Sequence, residues 1–235
     1  MSESTRLDRI GDRLLWRYRH AADTVFLDGS TPWEVDDALV SFGFAHGPYE
    51  QEDQEGLDTA VRVPSKFDAR LDKSRRYIPL YDRMIELGKL GRKTGAGWYR
   101  YPGGNGKVDD PIVADLANEE AHFGGITRTD YTPEDIQKRV TLALITEAAQ
   151  LWFEGVASES ADIDTVAVQR LGFPARRGGV VAYADSLGIP RVVECVSALA
   201  REDPVSWPVA PPLERCALQG TRLADWQRDP RALRF

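Results

Sequence analysis

The sequence has few of the residues that usually carry metal or redox chemistry. Its 235 residues include two cysteines, Cys195 and Cys216, and three histidines, His20, His46 and His122, which are scattered along the chain. Two distant cysteines give no disulfide framework, and isolated histidines give no metal-ligand spacing. We therefore expect no metal site, and a reducing cytoplasm is the simplest compartment for this protein.

Long apolar runs are also absent. No stretch approaches the ~20 apolar residues that a transmembrane helix needs, and the charged, periodic beginning MSESTRLDRIGDRLL is not typical of a signal peptide. The net charge of −7 argues against a nucleic-acid partner. We expect a protein that engages neither a membrane nor a nucleic acid.

The motifs of common nucleotide and hydrolase sites are missing as well. No GxGxxG follows a predicted strand, and no βαβ pattern occurs, so the sequence predicts no dinucleotide site of Rossmann type. There is no Walker motif, no HExxH and no serine nucleophile elbow. We therefore predict no catalytic residue and no cofactor-binding residue in this chain.

What the sequence does contain is helical periodicity. Apolar spacing predicts an amphipathic helix over residues ~6–28, ended by Gly29 in a left-handed conformation. Thr31-Pro32-Trp33-Glu34 is a capping box for a helix that ends near Phe42. A similar start, Thr132-Pro133-Glu134-Asp135, opens a long helix over residues ~133–154.

The predictions for the other segments depend mainly on where glycine and proline occur. Residues 62–90 are predicted to form one or two helices broken near Ser74 and Pro79, and the glycine-rich stretch 91–106 is predicted to hold a short extended piece. Residues 109–130 are predicted to be a connector. The proline-rich stretch 203–212 is predicted to be extended before a last helix over ~213–226.

An internal repeat sets the predicted architecture. Sixteen residues separate an arginine from a glycine twice, and later Val/Ile-Asp, Gly-Phe and Asp-x-x-Gly sequences recur in the same order. The repeat predicts two tandem helical units, residues 1–115 and 130–235, packed around a pseudo-twofold axis. The matched positions are Arg13 and Arg139, Gly29 and Gly155, Asp36 and Asp164, Gly43 and Gly172, and Asp53 and Asp185.

Charge is distributed unevenly. Residues 28–58 contain nine acids and no lysine or arginine, whereas residues 62–107 contain twelve bases and four acids. These charges are either solvated helix faces that neutralise one another, or a surface for an anion such as a phosphorylated cofactor tail or for an acidic partner. On the second interpretation, Arg92 and Lys93 beside the Gly91–Gly97 turn are the candidate anion contacts. On the first, the glycines serve turn geometry.

Two other groups of residues are candidates for chemistry. The pairs Asp36-Asp37 and Asp162-x-Asp164 could act in acid–base catalysis, but a position at the start of a short helix favours capping. His46 lies in a Gly/Pro corner, FAHGP, and is the histidine that we would test for a role.

Several longer motifs carry a family resemblance. They are IGDRLL, GFAHGPYEQEDQEGLD and LGRKTGAGWYRY in the first copy, and ITEAAQLWFEGVASESADID, GFPARRGG and YADSLG in the second, with WPVAPPLERCALQG in the tail. The chain resembles the C-terminal helical part of the 3-hydroxyacyl-CoA dehydrogenase family, in the tandem form of multifunctional fatty-acid β-oxidation proteins. The resemblance implies an all-α fold like the C-terminal part of 6-phosphogluconate dehydrogenase.

The same resemblance limits the expected activity. In that family an N-terminal Rossmann domain binds NAD and carries the catalytic residues, and the sequence has no match to that domain. The helical part supplies one wall of the acyl-CoA cleft and a substrate-side Asn, at whose position this chain has Asp12. An ionised Asp accepts hydrogen bonds, whereas Asn also donates them, so this position departs from the family pattern.

Three hypotheses about function stay open. The first is a helical protein that cannot transfer a hydride by itself and binds an acyl-CoA or a protein partner. The second is a subunit of a split NAD-dependent 3-hydroxyacyl-CoA dehydrogenase, completed by a separate Rossmann protein that supplies NAD. The third is new chemistry in the old cleft, using Asp12 and His46. Candidate substrate contacts are Asp12, His46, Arg92 and Lys93.

Overall fold

The structure is a computed structural model, and it describes residues 3–60, 76–104 and 106–227. Helices dominate these residues, which confirms the predicted all-α class. They are α1 (Glu3–Asp28), α2 (Pro32–Phe42), α3 (Pro48–Glu55), α4 (Leu57–Ala60), α5 (Leu80–Glu86), α6 (Pro111–Phe123), α7 (Pro133–Phe153), α8 (Ser160–Leu171), α9 (Val180–Leu187), α10 (Ile189–Glu202) and α11 (Pro211–Gln219).

The extended structure in the described part of the chain is one short hairpin. Strand β1 (Tyr99–Arg100) pairs antiparallel with β2 (Val108–Asp109), which places Tyr99 opposite Asp109. This confirms the short extended piece predicted inside the glycine-rich stretch. Of the helices predicted over residues 62–90, α5 begins directly after Pro79, and residues 61–75 lie outside the described residues.

Both predicted helix starts are capped as expected. At α2 the Glu34 amide donates to the Thr31 hydroxyl at 3.3 Å, and the Thr31 amide donates to the Glu34 carboxylate at 2.8 Å. At α7 the same exchange joins Thr132 and Asp135, with both distances at 3.2 Å. Each box uses amides that the helix itself leaves unpaired.

The conformation predicted for Gly29 is wrong. Gly29 is absent from the glycines with positive φ, although α1 ends beside it. The constraint is space, since a Cβ at Gly29 would lie 2.6 Å from the carbonyl carbon of Thr129. Arg128 explains why the chain passes so close, because its guanidinium donates to the carbonyls of Phe26, Leu27 and Ser30 at 2.7 to 2.9 Å. Phe26 and Leu27 lie in the last turn of α1, where the helix leaves carbonyls without their usual helical partners, and Ser30 follows just beyond it.

The predicted connector contains a helix that the sequence prediction missed. α6 occupies residues 111–123, and the Asp110 carboxylate caps it by accepting from the Ile112 amide at 3.2 Å. Pro111 stands at the first helical position, where a missing amide costs nothing. The Asp-Pro pair was therefore a start signal in the sequence. In the tail, α11 ends at Gln219 and a 3-10 turn follows at Leu223–Asp225, in place of one helix to 226.

The described chain groups into two compact units. Unit 1 joins residues 1–17 to residues 140–235, and unit 2 is the continuous stretch 18–139. The boundaries fall within α1 and α7. The predicted units, residues 1–115 and 130–235, divide the chain by sequence similarity and stay a prediction.

Candidate functional site

The glycine-rich motif of unit 2 is built around one buried carboxylate. Asp53, at the end of α3, accepts from the amides of Trp98 and Tyr99 and from the Tyr101 hydroxyl, each at 2.9 Å. Burial raises the pKa of Asp53 to about 6, and these three donors act against that rise. The carboxylate thus fastens the β1 strand to α3.

The glycines of this motif allow the backbone to reach Asp53. A Cβ at Gly97 would lie 2.6 Å from the Asp53 carboxyl carbon, and a Cβ at Gly91 would lie 2.9 Å from the Asp53 Cα. Gly95 differs, because its φ of +78° sits in open space. Close approach and turn geometry therefore account for the glycine spacing in KTGAGWY.

Most amides of the Gly91–Gly97 turn are already used inside the protein. The amides of Gly91, Thr94, Gly95 and Gly97 donate to backbone carbonyls of the same turn and of β1, at 2.8 to 3.1 Å. An anion at this turn would therefore depend chiefly on side chains. The two predicted side chains, Arg92 and Lys93, are both exposed on a 3-10 turn at Arg92–Thr94.

Arg92 and Lys93 differ in their partners. The Lys93 ammonium forms an ion pair with Asp58. The Arg92 guanidinium donates to the Gly104 carbonyl at 3.1 Å, and its central carbon lies 5.7 Å from the Tyr101 ring centroid. Among the described residues it has no carboxylate partner, so it is the more available cation of the two.

The remaining described bases of residues 76–107 pair with acids. Such pairing favours the interpretation that oppositely charged segments neutralise one another. The ion pairs are Arg76 with Asp28, Arg83 with Glu120, Lys89 and Arg100 with Asp110, and Lys107 with Glu50.

Two further carboxylates are buried beside the hairpin. Asp36 accepts from the Tyr49 amide at 3.0 Å, from the Glu50 amide at 2.9 Å and from the Tyr99 hydroxyl at 2.8 Å. Glu52 accepts from the Trp98 indole at 2.9 Å. Burial raises the pKa of each to about 7. Hydrogen bonds within unit 2 occupy both groups, so their evident role is to join α2 and α3 to the hairpin.

Asp36 and Asp164 cap helices, as predicted, but each caps the following helix and not the one in which it lies. Asp36 caps the start of α3, the next helix, through the amides of Tyr49 and Glu50. Asp164 in unit 1 likewise accepts from Val181 at 2.6 Å and from Ala182 at 3.2 Å, at the start of α9. A carboxylate at a following helix start satisfies its free amides and its positive dipole end.

Asp53 also has a counterpart in unit 1. Asp185 accepts from the amides of Leu223 at 2.6 Å and Ala224 at 3.1 Å, two consecutive residues as with Trp98 and Tyr99. Residues 223–225 thus fix to α9 as β1 fixes to α3. Asp53 and Asp185, which are equivalent in the sequence repeat, therefore each accept hydrogen bonds from two consecutive backbone amides.

Asp12, the departure from the family pattern, lies in unit 1 beside a cation. Arg170 of α8 approaches Asp12 with Nη2 at 3.4 Å from Oδ1, and its Nη1 lies 3.2 Å from the Asp8 carbonyl. Gly11 makes room for it, since a Cβ there would lie 2.5 Å from Nη1. His46 belongs to unit 2, where it is exposed in the bend between α2 and α3. His46, Arg92 and Lys93 thus lie in one unit and Asp12 in the other.

Arg13, next to Asp12, is buried and binds two glutamates, a contact that the sequence analysis did not identify. Its Nε donates to Glu147 Oε1 at 2.6 Å, and Nη1 binds Glu154. Arg13 and Glu147 side chains are each 3% exposed. Their 134-residue separation leaves no local sequence signal.

In the part of the chain that the structure describes, no helix is long and apolar enough to cross a membrane. No group of three or more His, Cys, Asp or Glu there is arranged to hold a metal ion.

Residues 10–101 match the family model of the 3-hydroxyacyl-CoA dehydrogenase C-terminal domain. Over these residues the chain belongs to the 3-hydroxyacyl-CoA dehydrogenase family. The matched range includes the Asp12 position, Asp36, Asp53 and the whole KTGAGWYRY motif.

Similarity to other proteins extends over most of the chain. The peroxisomal bifunctional enzyme of Pongo abelii is 33% identical over 208 residues, which cover 83% of this chain and 29% of that protein. The fatty acid oxidation complex subunit alpha of Shewanella loihica is 30% identical over 186 residues, covering 78% of this chain and 25% of that protein. The chain thus spans between a quarter and a third of these relatives.

A solved structure shows the same fold. The 3-hydroxybutyryl-CoA dehydrogenase of Escherichia coli K12 matches with a TM-score of 0.66 at 21% identity, over 89% of this chain and 59% of that one. At this identity the likeness shows the fold alone.

Proposed function

We propose that this chain acts as the helical part of a 3-hydroxyacyl-CoA dehydrogenase in fatty-acid oxidation, and that it is not competent for hydride transfer alone. The observation that carries the proposal is the family match over residues 10–101, in which the KTGAGWYRY hairpin is locked to α3 through Asp53. Its role is to form one side of an acyl-CoA cleft or to bind a protein partner.

Hydride transfer requires more than this chain offers. The reaction needs a nicotinamide beside the reacting carbon and a general base, and the sequence contains no glycine-rich strand–helix turn for NAD. A Rossmann domain must therefore supply NAD. In the alternative form of the proposal, that domain is a separate protein, and the chain is a subunit of a split dehydrogenase.

Two further features are part of the proposal. The paired hydrogen-bond patterns of Asp36 with Asp53 and of Asp164 with Asp185 support a tandem repeat of the family domain. Cys195 and Cys216 are free thiols, which suits a reducing compartment such as the cytoplasm.

The first prediction tests the incompetence for hydride transfer. Calorimetric titration of the chain with NAD and NADH should show no micromolar binding, and 3-hydroxybutyryl-CoA with NAD should yield no NADH. Addition of a Rossmann-domain protein recovered with the chain from its native cell should restore turnover if the enzyme is split. NADH production by the purified chain alone would refute the proposal.

The second prediction concerns the anion contact. If Arg92 and Lys93 hold a CoA phosphate, the variant Arg92→Glu/Lys93→Glu should lose CoA affinity, and wild-type affinity should fall steeply as salt is raised. Its melting temperature should change little, because exposed charges contribute little to stability. The matched control is Arg191→Glu/Arg201→Glu, which reverses two exposed bases of α10. Equal losses in the two variants, or salt-insensitive CoA binding, would refute the contact.

The third prediction separates two roles for Asp12. If Asp12 faces the thioester, Asp12→Asn restores a donor and should strengthen acyl-CoA binding by ~0.5–1.5 kcal/mol, the worth of one hydrogen bond. Asp8→Asn is the control, because Asp8 also contacts Arg170 at 3.4 Å but lies one turn away. Calorimetry with acetoacetyl-CoA makes the measurement. No gain, or the same change in both variants, would assign Asp12 to the Arg170 contact alone.

A further inference from the structure

Unit 2 contains a groove whose lining residues have no part in the proposed function. It has a volume of about 390 Å³ and lies between α2 and the start of α7. Ala38, Tyr131, Pro133 and Ile136 contribute to its lining, and the exposed residues Glu34 and Asp37 form its rim. This volume is near the lower end of the ~300–1,000 Å³ of small-molecule sites, which is room for a long side chain and its neighbour.

The two walls of the groove are tied together. Gln137 of α7 donates from its amide nitrogen to the Ala38 carbonyl and to the Ser41 hydroxyl of α2, both at 2.9 Å. The capping boxes fix the starts of both helices as well. The groove is therefore preformed, and a ligand would not have to order it.

The rim of the groove is anionic. Glu34 accepts the Thr31 amide and hydroxyl on its Oε2, which holds its carboxylate in place, and Asp37 is exposed on the next turn of α2. Both belong to residues 28–58, which contain nine acids and no base. Arginines and lysines from other parts of the chain form ion pairs with this stretch, but with acids other than Glu34 and Asp37. Those acids are Asp28, Glu50, Glu52, Glu55 and Asp58.

The nearby arginines have other partners. Arg128 donates to three carbonyls at the end of α1, and Arg139 stacks its guanidinium 4.5 Å from the Tyr131 ring centroid. Neither makes an ion pair with Glu34 or Asp37 among the described contacts. The groove thus joins an apolar lining to two carboxylates that form no ion pair among the described residues, although Glu34 lies within electrostatic reach of Arg128.

We propose that this groove docks an arginine from a segment of a partner protein. A long cationic side chain fits both parts of the site, because its methylene stem can lie on apolar surface while its head reaches charge. Arginine suits it better than lysine, since the planar guanidinium binds carboxylates through two parallel hydrogen bonds. The partner is therefore a protein with an exposed arginine beside a small apolar residue, docking by charge complementarity.

The probe is a set of three blocked peptides, acetyl-Ala-Leu-X-Ala-amide, in which X is arginine, lysine or citrulline. Citrulline keeps the shape of arginine and removes its charge. Titration into the ¹⁵N-labelled chain, followed by NMR, should shift the amide signals of α2 and of residues 131–137. The arginine peptide should bind about fivefold more tightly than the citrulline peptide, as one or two exposed ion pairs allow, with the lysine peptide between them.

The matched variants remove the rim charges and leave the fold intact. Glu34→Gln keeps the capping box, which accepts glutamine at that position, and Asp37→Asn is isosteric. The double variant should weaken arginine-peptide binding about fivefold with an unchanged melting temperature. Glu86→Gln/Glu119→Gln removes two exposed acids of α5 and α6 and should leave binding unchanged.

Several results would overturn this inference. One is equal binding of the arginine and citrulline peptides, and another is equal weakening by both double variants. Absence of shifts in α2 would show that the groove takes no arginine or that another part of the chain fills it. Self-association of the chain in sedimentation that the Glu34→Gln/Asp37→Asn variant abolishes would assign the groove to a second copy.

Discussion

Gly97→Ala should destabilise unit 2 by ~3–5 kcal/mol, one of the two largest effects that we expect in this chain. The new methyl group would fall 2.6 Å from the carboxyl carbon of Asp53, which is buried and cannot swing into solvent. Overpacking a core costs ~1–3 kcal/mol. Displacement of Asp53 adds the loss of hydrogen bonds from the Trp98 and Tyr99 amides, at ~1.5–3 kcal/mol for a charged acceptor.

Gly95→Ala is the matched control, two residues away in the same turn. Its φ of +78° strains an alanine, but nothing lies within 4 Å of the new Cβ. That strain should cost only ~1–2 kcal/mol. Urea unfolding followed by circular dichroism compares the two variants. Similar losses for both would show that turn conformation, and not the approach to Asp53, explains the glycine spacing.

Arg13→Met should destabilise unit 1 by ~3–5 kcal/mol. Removal of one partner from a buried ion pair is strongly destabilising, and Glu147, which loses its bond to Arg13, has a side chain that is only 3% exposed. Methionine keeps the approximate length of the side chain, so the loss of charge and of donors dominates. Chemical denaturation gives the free energy directly.

The double variant Arg13→Met/Glu147→Gln tests whether the buried charge of Glu147 causes the loss of stability in Arg13→Met. It removes the buried charge of Glu147 together with that of Arg13, so it should recover much of the stability that Arg13→Met loses. A second comparison is Arg6→Met, which removes a partly exposed arginine 3.3 Å from Asp162 and should cost less than ~1 kcal/mol. A double variant as unstable as the sum of its parts would contradict this explanation.

Local chemistry made part of the fold predictable. The boxes Thr31–Glu34 and Thr132–Asp135 each join residues three positions apart, so their signal lies within about one helical turn, and both were correctly predicted. The Asp110–Pro111 start of α6 carried the same kind of signal but was missed inside a segment interpreted as a connector.

The features that could not be predicted depend on contacts between residues far apart in the sequence. Gly29 was predicted to be left-handed from its place after α1, whereas its actual constraint is Thr129, one hundred residues later. Asp36 lies early in α2 and was predicted to cap there, but it caps α3 through Tyr49 and Glu50. The carboxylates of Glu52 and Glu147 gave no pattern in sequence, because Trp98 and Arg13 are 46 and 134 residues away.

The arrangement of the two units has a consequence for the order of synthesis. Unit 2 is continuous, so all of its partners have been made once residue 139 has been added. Unit 1 needs residues 1–17 together with residues beyond 140, and Arg13 waits for Glu147 and Glu154. Contacts so distant in sequence close slowly. On the ribosome, unit 2 should acquire its structure first, while the first turns of α1 wait for their unit 1 partners until residues 140–235 emerge.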